Sequence, residues 1–314
     1  MISCKKLFTK RKVLTIIISV FSLIIISFVI TKTVYDSAFV RYDVFKEIPQ
    51  NLEVLAENRK EYTFKSKENN LCGYLYGNGG EGLVVLAPGF NAGADEYLPQ
   101  IKSLVDYGWG VFSFDATGSC KSEGKSAVGF SQILTDLQSA LNFVEQNGRF
   151  GYNNIYLLGH SRGGWAVCSI LNDGYDITAV ASISSVNSSM DAIIQPVADK
   201  IGFLAYSNYP MLWIYQSMLF GWDTLALDAA EEIEKSEIPV LVVQGEQDEK
   251  FTPYKYSVYS NIADKDIENV RTFLCKEDGF DGHTTLLFGE NGTENRELMK
   301  EINEFFGKCN KKGD

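Results

Sequence analysis

The chain has 314 residues, of which 45% are hydrophobic and 22% are charged, close to the average of globular domains. This composition excludes a disordered chain, a collagen and a small disulfide-stabilised protein, and the length allows one large domain or two small ones. The net charge is −11, from 29 basic and 40 acidic residues. Because so acidic a surface repels nucleic acid, no nucleic-acid partner is expected.

The N-terminal region differs sharply in charge from the rest of the chain. Residues 1–12 carry five basic side chains and no acidic one, whereas the remainder carries 24 basic and 40 acidic side chains. Residues 13–30 are uncharged, and as a helix they would extend about 27 Å, close to the hydrocarbon core of a bilayer. We predict a cytoplasmic basic tail over 1–12 and a transmembrane anchor over 13–30, since basic residues favour the cytoplasmic side. The protein would then be a single-pass protein of the cell membrane with its following domain extracellular.

Two other interpretations of residues 13–30 exist. A cleaved signal peptide needs small residues before its cleavage site, and the best local candidate, Asp36-Ser37-Ala38, has a charge at that place. A helix buried in a soluble core would present a polar face, which this segment lacks. The uncleaved anchor is the preferred prediction, although the sequence leaves cleavage open.

After the anchor, residues 31–60 are expected to form a linker with a short helix, followed by alternating strands and helices. Strands are predicted at 62–65, 71–76, 82–87, 109–114, 155–158, 177–183, 239–244 and 270–275. Helices are predicted at 95–107, 131–146, 162–171, 253–262 and 294–306, with Ser131 as an N-cap. Consecutive apolar residues in several strands are typical of strands covered on both faces. The pattern therefore predicts an α/β fold with a mostly parallel central sheet flanked by helices.

One long segment, about residues 186–237, interrupts this alternation. It has helical character and is rich in aromatic residues: Phe203, Tyr206, Tyr209, Trp213, Tyr215, Phe220 and Trp222. Insertions of this length in a compact domain are usually functional, so a helical cap is expected. The aromatic side chains either bind a partly apolar substrate group or simply pack the cap onto the sheet. The expected domain is 61–308, which includes the cap, with a tail at 309–314.

Five cysteines follow the anchor: Cys72, Cys120, Cys168, Cys275 and Cys309. They include no C-x-x-C pair, so neither a zinc site nor a thioredoxin-like site is predicted. Cys72, Cys168 and Cys275 lie in apolar strand or helix patterns and are predicted to be buried thiols. The sequence does not decide whether any of the five forms a disulfide.

Residues 159–163, Gly-His-Ser-Arg-Gly, form a G-x-S-x-G motif. The motif is weak alone, but here it directly follows a predicted strand and opens a predicted helix. In this context the glycines permit a sharp turn that presents the serine hydroxyl at a helix N-terminus. Ser161 is therefore the candidate nucleophile, and the alternative is a tight turn with an unreactive serine.

A serine nucleophile needs a base, and the chain contains only two histidines. His160 is expected to point away from its neighbour Ser161, which leaves His283, in a loop after a late strand, as the candidate base. The base needs an orienting carboxylate, for which Asp248, just after the strand at 239–244, is preferred. Its rivals are Glu246, Glu249 and Asp223.

An acyl-transfer site also needs N–H donors for the oxyanion. The backbone N–H of Arg162 directly follows the nucleophile, and the backbone N–H of Phe90 lies in the loop after the strand at 82–87. These two groups are the candidate oxyanion hole. The side chain of Arg162 either acts at the site or lies at the surface, where it would cap a neighbouring loop.

Over about residues 60–308 the chain resembles the α/β-hydrolase superfamily, in particular its serine-aminopeptidase-like and dienelactone-hydrolase-like branches. The resemblance rests on the nucleophile motif, on the order Ser161, Asp248, His283, and on segments 87–90, 114–124 and 245–248. Segment 114–124 resembles D-x-x-G-x-G-x-S-x-G with Ser-Cys in place of His-Gly, and 245–248 matches a G-x-x-D acid motif. The chain is also similar to exported, membrane-anchored bacterial hydrolases. It lacks an HGGG motif, so hydrolysis of tertiary-alcohol esters is not implied.

Together these features predict a serine hydrolase that cleaves an ester or related acyl bond through a triad and an acyl-enzyme. Neither a metal nor an organic cofactor is required, and the expected partner is a small acyl substrate that is partly apolar. Peptidases, thioesterases and acyltransferases use the same triad, and the sequence does not separate them. An alternative of another kind is a non-catalytic, membrane-anchored binding protein on the same fold.

Overall fold

A computed structural model describes residues 4–45, 47–252, 255–289 and 293–310. The strands are β1 Lys60–Ser66, β2 Asn69–Tyr76, β3 Leu83–Ala87, β4 Gly110–Phe114, β5 Ile155–His160, β6 Ala179–Ile183, β7 Val240–Gly245 and β8 Val270–Cys275. The α-helices are α1 Cys4–Ala38, α2 Gln50–Glu57, α3 Leu98–Asp106, α4 Gln132–Gln146, α5 Arg162–Ser169, α6 Ser189–Ile201, α7 Tyr209–Phe220, α8 Trp222–Leu225, α9 Ala229–Lys235, α10 Val258–Ile262, α11 Thr285–Phe288 and α12 Arg296–Cys309. Residues 1–3 and 311–314 of the two expected tails, and Pro253, where a helix was expected to begin, lie outside the described residues.

The eight strands form one sheet in the order β1-β2-β4-β3-β5-β6-β7-β8. β2 is antiparallel to both of its neighbours, and all other pairs are parallel, so the predicted mostly parallel sheet is confirmed. Every residue of β3 to β7 is buried, because helices cover both faces of the sheet. The loops that follow the parallel strands therefore meet at one edge of the sheet, and this is where the candidate site lies.

The start of α4 differs from its prediction. Ser131 occupies the predicted N-cap position but does not cap the helix: its backbone is helical, with φ −71° and ψ −8°, and its side chain accepts no bond from the first turn. An N-cap needs an extended backbone so that its oxygen can reach the N–H groups two or three residues ahead. The predicted helix at 95–107 also begins as a 3-10 turn, Ala94–Tyr97, before α3.

The predicted linker after the anchor is also wrong over its first part. α1 continues to Ala38, and Thr31, Tyr35 and Phe39, spaced four residues apart, are buried against the rest of the chain. Arg41 then donates hydrogen bonds to three backbone carbonyls in the loop after β4.

Among the described residues α1 alone is long and apolar enough to cross a membrane, judged by length and composition.

The insertion between β6 and β7 is helical, with α6, a 3-10 helix at Gly202–Asn208, α7, α8 and α9. Of its seven aromatic residues only Tyr215 is buried, whereas Phe203 and Trp222 are 83% and 63% exposed. Packing onto the sheet therefore does not account for most of these aromatic side chains.

The cysteines that follow α1 are free thiols in the structure. Cys168 and Cys275 are buried as predicted. Cys72 is only half-buried, because it lies near the sheet edge formed by β1, and Cys120 is buried instead.

Candidate active site

The candidate nucleophile stands on a strained turn between β5 and α5. Ser161 has φ 55° and ψ −115°, in a region that residues with a side chain rarely adopt. Its N–H donates to the carbonyl of Ile183 at 2.8 Å, which ties the turn to β6. A Cβ atom at Gly163 would lie 2.1 Å from the carbonyl oxygen of Ala87, and one at Gly159 would lie 2.3 Å from that of Gly163. Gly163 is therefore required for the turn to pack against β3, and Gly159 for the end of β5 to pack against the start of α5.

The structure brings Ser161, His283 and Asp248 into one hydrogen-bonded series. His283 Nε2 lies 2.9 Å from Ser161 Oγ, and His283 Nδ1 lies 2.9 Å from Asp248 Oδ2. All three side chains are buried. An ionised Asp248 holds the proton on Nδ1 and leaves Nε2 free to accept the proton of the serine hydroxyl. This arrangement can activate Ser161 for attack on a carbonyl carbon.

The carboxylate of Asp248 is held by donors on both oxygens. Oδ1 accepts from the backbone N–H groups of Lys250 and Phe251 at 2.7 and 2.8 Å, and Oδ2 also accepts from Gln244 Nε2 at 2.7 Å. Burial acts to raise the pKa of Asp248, but the hydrogen bonds from His283 and the two amides outweigh it and hold the pKa below its ordinary value. The group is therefore an anion at neutral pH.

The rival carboxylates have other partners. Glu246 forms an ion pair with Lys276 at 2.8 Å near the surface. Glu249 accepts a hydrogen bond from the backbone N–H of His283 at 3.1 Å, so it holds the main chain of the base and not its ring. Asp223 is exposed in α8. In the part of the chain that the structure describes, Asp248 is the carboxylate bonded to the His283 imidazole.

The loop with the candidate oxyanion donor Phe90 lies beside the turn of Ser161. Arg162 Nη2 approaches the carbonyl of Gly89 at 3.5 Å, and its guanidinium lies 5.4 Å from the ring centroid of Phe90. The Arg162 side chain is fully buried, so the surface position considered from sequence is wrong. Its burial lowers the pKa of the guanidinium to about 10. The oxyanion role of the two backbone N–H groups remains a prediction.

Sequence reasoning missed a second hydrogen-bonded series behind the site. The hydroxyl of Tyr97 accepts from the N–H of Gly89 at 2.8 Å and donates to His160 Nδ1 at 3.0 Å. His160 Nε2 in turn donates to the carbonyl of His283 at 3.2 Å. Burial, together with the nearby His283, lowers the pKa of His160 to about 3, so its ring is neutral. Tyr97 and His160 thereby connect the Phe90 loop to the loop of the base.

Comparisons with known proteins agree with this architecture. A sequence profile of the family described as "Serine aminopeptidase, S33" matches residues 80–226, which include Phe90 and Ser161. A Pyrococcus furiosus esterase superposes with a TM-score of 0.63 at 18% identity, over 86% of this chain and 98% of that one. The chain has the α/β-hydrolase fold. No curated protein matches its sequence.

Other structures with this fold have different named activities. A proline iminopeptidase of Mycobacterium smegmatis superposes with a TM-score of 0.54 at 14% identity, over 80% of this chain and 99% of that one. An enol-lactonase of Burkholderia xenovorans superposes with a TM-score of 0.54 at 16% identity, over 78% and 99%. Because one fold hosts many reactions, these matches show the fold of this chain, and its substrate has to be inferred from the site.

Proposed function

We propose that this α/β-hydrolase is a serine hydrolase that cleaves an ester or a related acyl bond. The observation that carries the proposal is the series from Asp248 through His283 to Ser161, with both contacts at 2.9 Å on a strained turn. A binding protein that had lost its activity would have no need for this alignment. A tight turn with an idle serine would likewise not require a base at hydrogen-bond distance.

In the proposed mechanism Ser161 Oγ attacks the carbonyl carbon while His283 Nε2 takes the hydroxyl proton. The negative charge of Asp248 stabilises the imidazolium, and the backbone N–H groups of Phe90 and Arg162 hold the oxyanion. The tetrahedral intermediate collapses as His283 returns the proton to the leaving group. Water then attacks the acyl-enzyme while His283 takes its proton. The second tetrahedral intermediate collapses as His283 returns that proton to Ser161 Oγ, which releases the acid and free Ser161. No step requires a metal or an organic cofactor.

The test is a panel of p-nitrophenyl esters and aminoacyl nitroanilides, assayed with the wild type and Ser161→Ala. We expect ester turnover to fall by at least about 10³-fold in kcat, because triad members act as a unit. Ser169→Ala is a matched control, since Ser169 is buried on α5 and its hydroxyl has no partner in the described residues. A fluorophosphonate probe should label the wild type and the control but not Ser161→Ala. Near-normal ester turnover in Ser161→Ala would refute the serine mechanism, and preferential nitroanilide cleavage would favour a peptidase.

We also propose that α1 is an uncleaved single-pass anchor, with residues 1–12 cytoplasmic and the catalytic domain extracellular. Its support is that Tyr35 and Phe39 are 3% and 7% exposed and belong to the hydrophobic core. Cleavage near Ala38 would remove the buried Tyr35 side chain from that core. In its host the protein should stay in the membrane fraction at full length, with its domain open to external protease. A soluble product that starts near Phe39 would refute the anchor.

A further inference from the structure

The cap contains a second long segment without charge. Residues 201–222 carry no Asp, Glu, Lys or Arg, and they form the 3-10 helix Gly202–Asn208 and α7. Many of their apolar side chains point outward, with the following exposed fractions: Ile201 52%, Phe203 83%, Leu204 56%, Ile214 42%, Met218 72% and Trp222 63%. An apolar cluster of this kind on a protein surface marks a contact with another apolar partner.

This face of the cap lies directly against the predicted anchor. The hydroxyl of Ser27 donates to the side chain of Asn208, whose amide donates to Thr31 Oγ1 at 3.0 Å. The rings of Phe28 and Tyr215 pack edge to face, with centroids 5.9 Å apart. A cleft between the two elements is lined by Val20, Leu23, Ile24 and Ser27 of α1 and by Ser207, Pro210 and Met211 of the cap.

The depth of these contacts follows from helix geometry. Val20 lies ten residues before Ile30, or about 15 Å along the helix axis, which is half of the hydrocarbon core. With Ile30 at the outer boundary, the cap residues that contact Val20–Ser27 are at the depth of the outer leaflet. Polar side chains at this depth need partners within the protein, and Ser27 and Asn208 satisfy each other.

We propose that residues 201–222 form a membrane-immersed face of the cap, and that the substrate is a lipid acyl ester that reaches Ser161 from the bilayer. The substrate part rests on the proposed serine hydrolase and the immersed face rests on the uncleaved anchor. The occupant of this face is the outer leaflet, because the face is uncharged and continuous with the exposed apolar surface of α1. A protein partner would not be expected to share that surface with lipid.

A series of aromatic rings connects this face to the candidate site. Tyr215 of the cap packs against Tyr35 with centroids 5.3 Å apart, and Tyr35 packs against Phe39 at 4.7 Å. Phe39 packs against Phe90, the candidate oxyanion residue, at 5.3 Å. Ser161 itself is only 9% exposed. These packed rings form a continuous aromatic connection from the cap to the loop beside the turn of Ser161, and the proposal places the path of the acyl chain along it.

The immersed face can be tested with the tryptophan side chains of the full chain in phosphatidylcholine vesicles with or without brominated acyl chains. α1 contains no tryptophan, and Trp109 and Trp165 are buried in the core, so quenching by bromine reports on Trp213 and Trp222. We expect bromolipid to quench the wild type and to quench Trp213→Phe/Trp222→Phe much less. Equal emission of the wild type in both kinds of vesicle would overturn the immersed face.

Delivery of substrate from the bilayer can be tested with Phe203→Glu, matched by Val54→Glu, which changes a 67% exposed residue on the charged helix α2. We expect Phe203→Glu to slow hydrolysis of a vesicle-dissolved long-chain ester by at least about tenfold, because a charge replaces an inserted ring. A soluble p-nitrophenyl acetate should be cleaved at the wild-type rate, and Val54→Glu should leave both rates unchanged. No loss in Phe203→Glu, or an equal loss on both esters, would overturn delivery from the bilayer.

These outcomes are distinct from failure of the proposed function. If the wild type cleaves neither ester and a fluorophosphonate does not label Ser161, the serine hydrolase and its lipid substrate are both refuted. The immersed face is decided by the quenching measurement in either case, since that measurement does not require turnover.

Discussion

Asp248→Asn removes a negative charge and also leaves donors around the side chain without an acceptor. Each oxygen of the Asp248 carboxylate faces two donors: Oδ1 faces the N–H groups of Lys250 and Phe251, and Oδ2 faces His283 Nδ1 and Gln244 Nε2. Asparagine has one acceptor oxygen and one NH₂ group, so in either orientation its NH₂ group opposes two donors.

The size of the effect follows from the two orientations. If the NH₂ group faces His283, it favours the tautomer with the proton on Nε2, which cannot accept the proton of Ser161. A comparable change in a serine protease lowers kcat by about 10⁴, and we expect a loss of about 10³ to 10⁴ here. If it faces Lys250 and Phe251, two partly buried amides lose their acceptor, at the lower end of about 1–3 kcal/mol each. In either case we expect a free energy of unfolding lower by about 2–4 kcal/mol.

The assay is kcat on one soluble ester at saturating substrate, with denaturant unfolding of the same samples. Glu246→Gln is the matched control, because its surface ion pair with Lys276 contributes at most about 1 kcal/mol and does not touch His283. Glu249→Gln keeps an oxygen for the N–H of His283 and should lose at most a few-fold. An active Asp248→Asn beside an inactive Glu246→Gln or Glu249→Gln would refute the assignment of the acid.

Three further outcomes are expected. Gly163→Ala should lower the melting temperature and abolish ester turnover, because its methyl group would lie 2.1 Å from the carbonyl oxygen of Ala87; a fully active, equally stable variant would contradict the close packing. The wild type should lose up to about 2 kcal/mol of stability between pH 6.5 and 5, since unfolded His160 binds a proton there and the folded group, with a pKa of about 3, does not. His160→Gln should show a smaller loss by denaturant unfolding at the two pH values, and an unchanged slope would exclude His160 as its source. Asp136→Ala should lower the free energy of unfolding by about 3 kcal/mol or more in the same measurement. The buried carboxylate of Asp136 accepts four hydrogen bonds from β1, α4 and the loop after β4, and the variant would leave these donors without an acceptor. A variant of wild-type stability would show that this network does not stabilise the fold.

The turn of Ser161 could be predicted because its determinants are local. Three features follow one another directly in the sequence: the apolar residues before Gly159, the glycines at 159 and 163, and the helical pattern from Arg162. They predict a strand, a sharp turn and a helix, in that order. His283 was identified by elimination, since only two histidines exist, and this required no knowledge of its surroundings. Asp248 was preferred over its rivals for its place after a strand, which the structure supports with the hydrogen bond to the His283 ring.

Contacts between distant residues had no such local signal. Tyr97, His160 and the carbonyl of His283 are separated by 63 and 123 residues, so no spacing in the sequence indicates that they meet. His160 was considered only as a competitor of the base. The missing cap at Ser131 has a different cause. Serine is a suitable residue type for an N-cap, but the residue type does not determine the backbone conformation, which is already helical there.

The predicted linker was wrong because charged residues lie between the buried ones. Thr31, Tyr35 and Phe39 are spaced as one face of a helix, but the charges between them are typical of an exposed segment. Lys32 and Asp36 interrupt the apolar run after Ile30, and they form an ion pair on the exposed side of α1. Tyr35 and Phe39 lie on the other side and join the core of the domain. The end of α1 is thus part of the folded unit and not a tether.

The packed end of α1 bears on the proposed activity, because it joins the apolar helix directly to the core of the domain. A domain on a flexible linker could sample soluble substrates far from the membrane. With α1 as the proposed anchor, a domain whose core includes Tyr35 and Phe39 would instead be held close to the bilayer. The same two residues form ring contacts with the cap and with Phe90. If α1 is the proposed anchor, it does more than retain the protein at the membrane, because Tyr35 of α1 and the following Phe39 lie between the cap and the loop of Phe90.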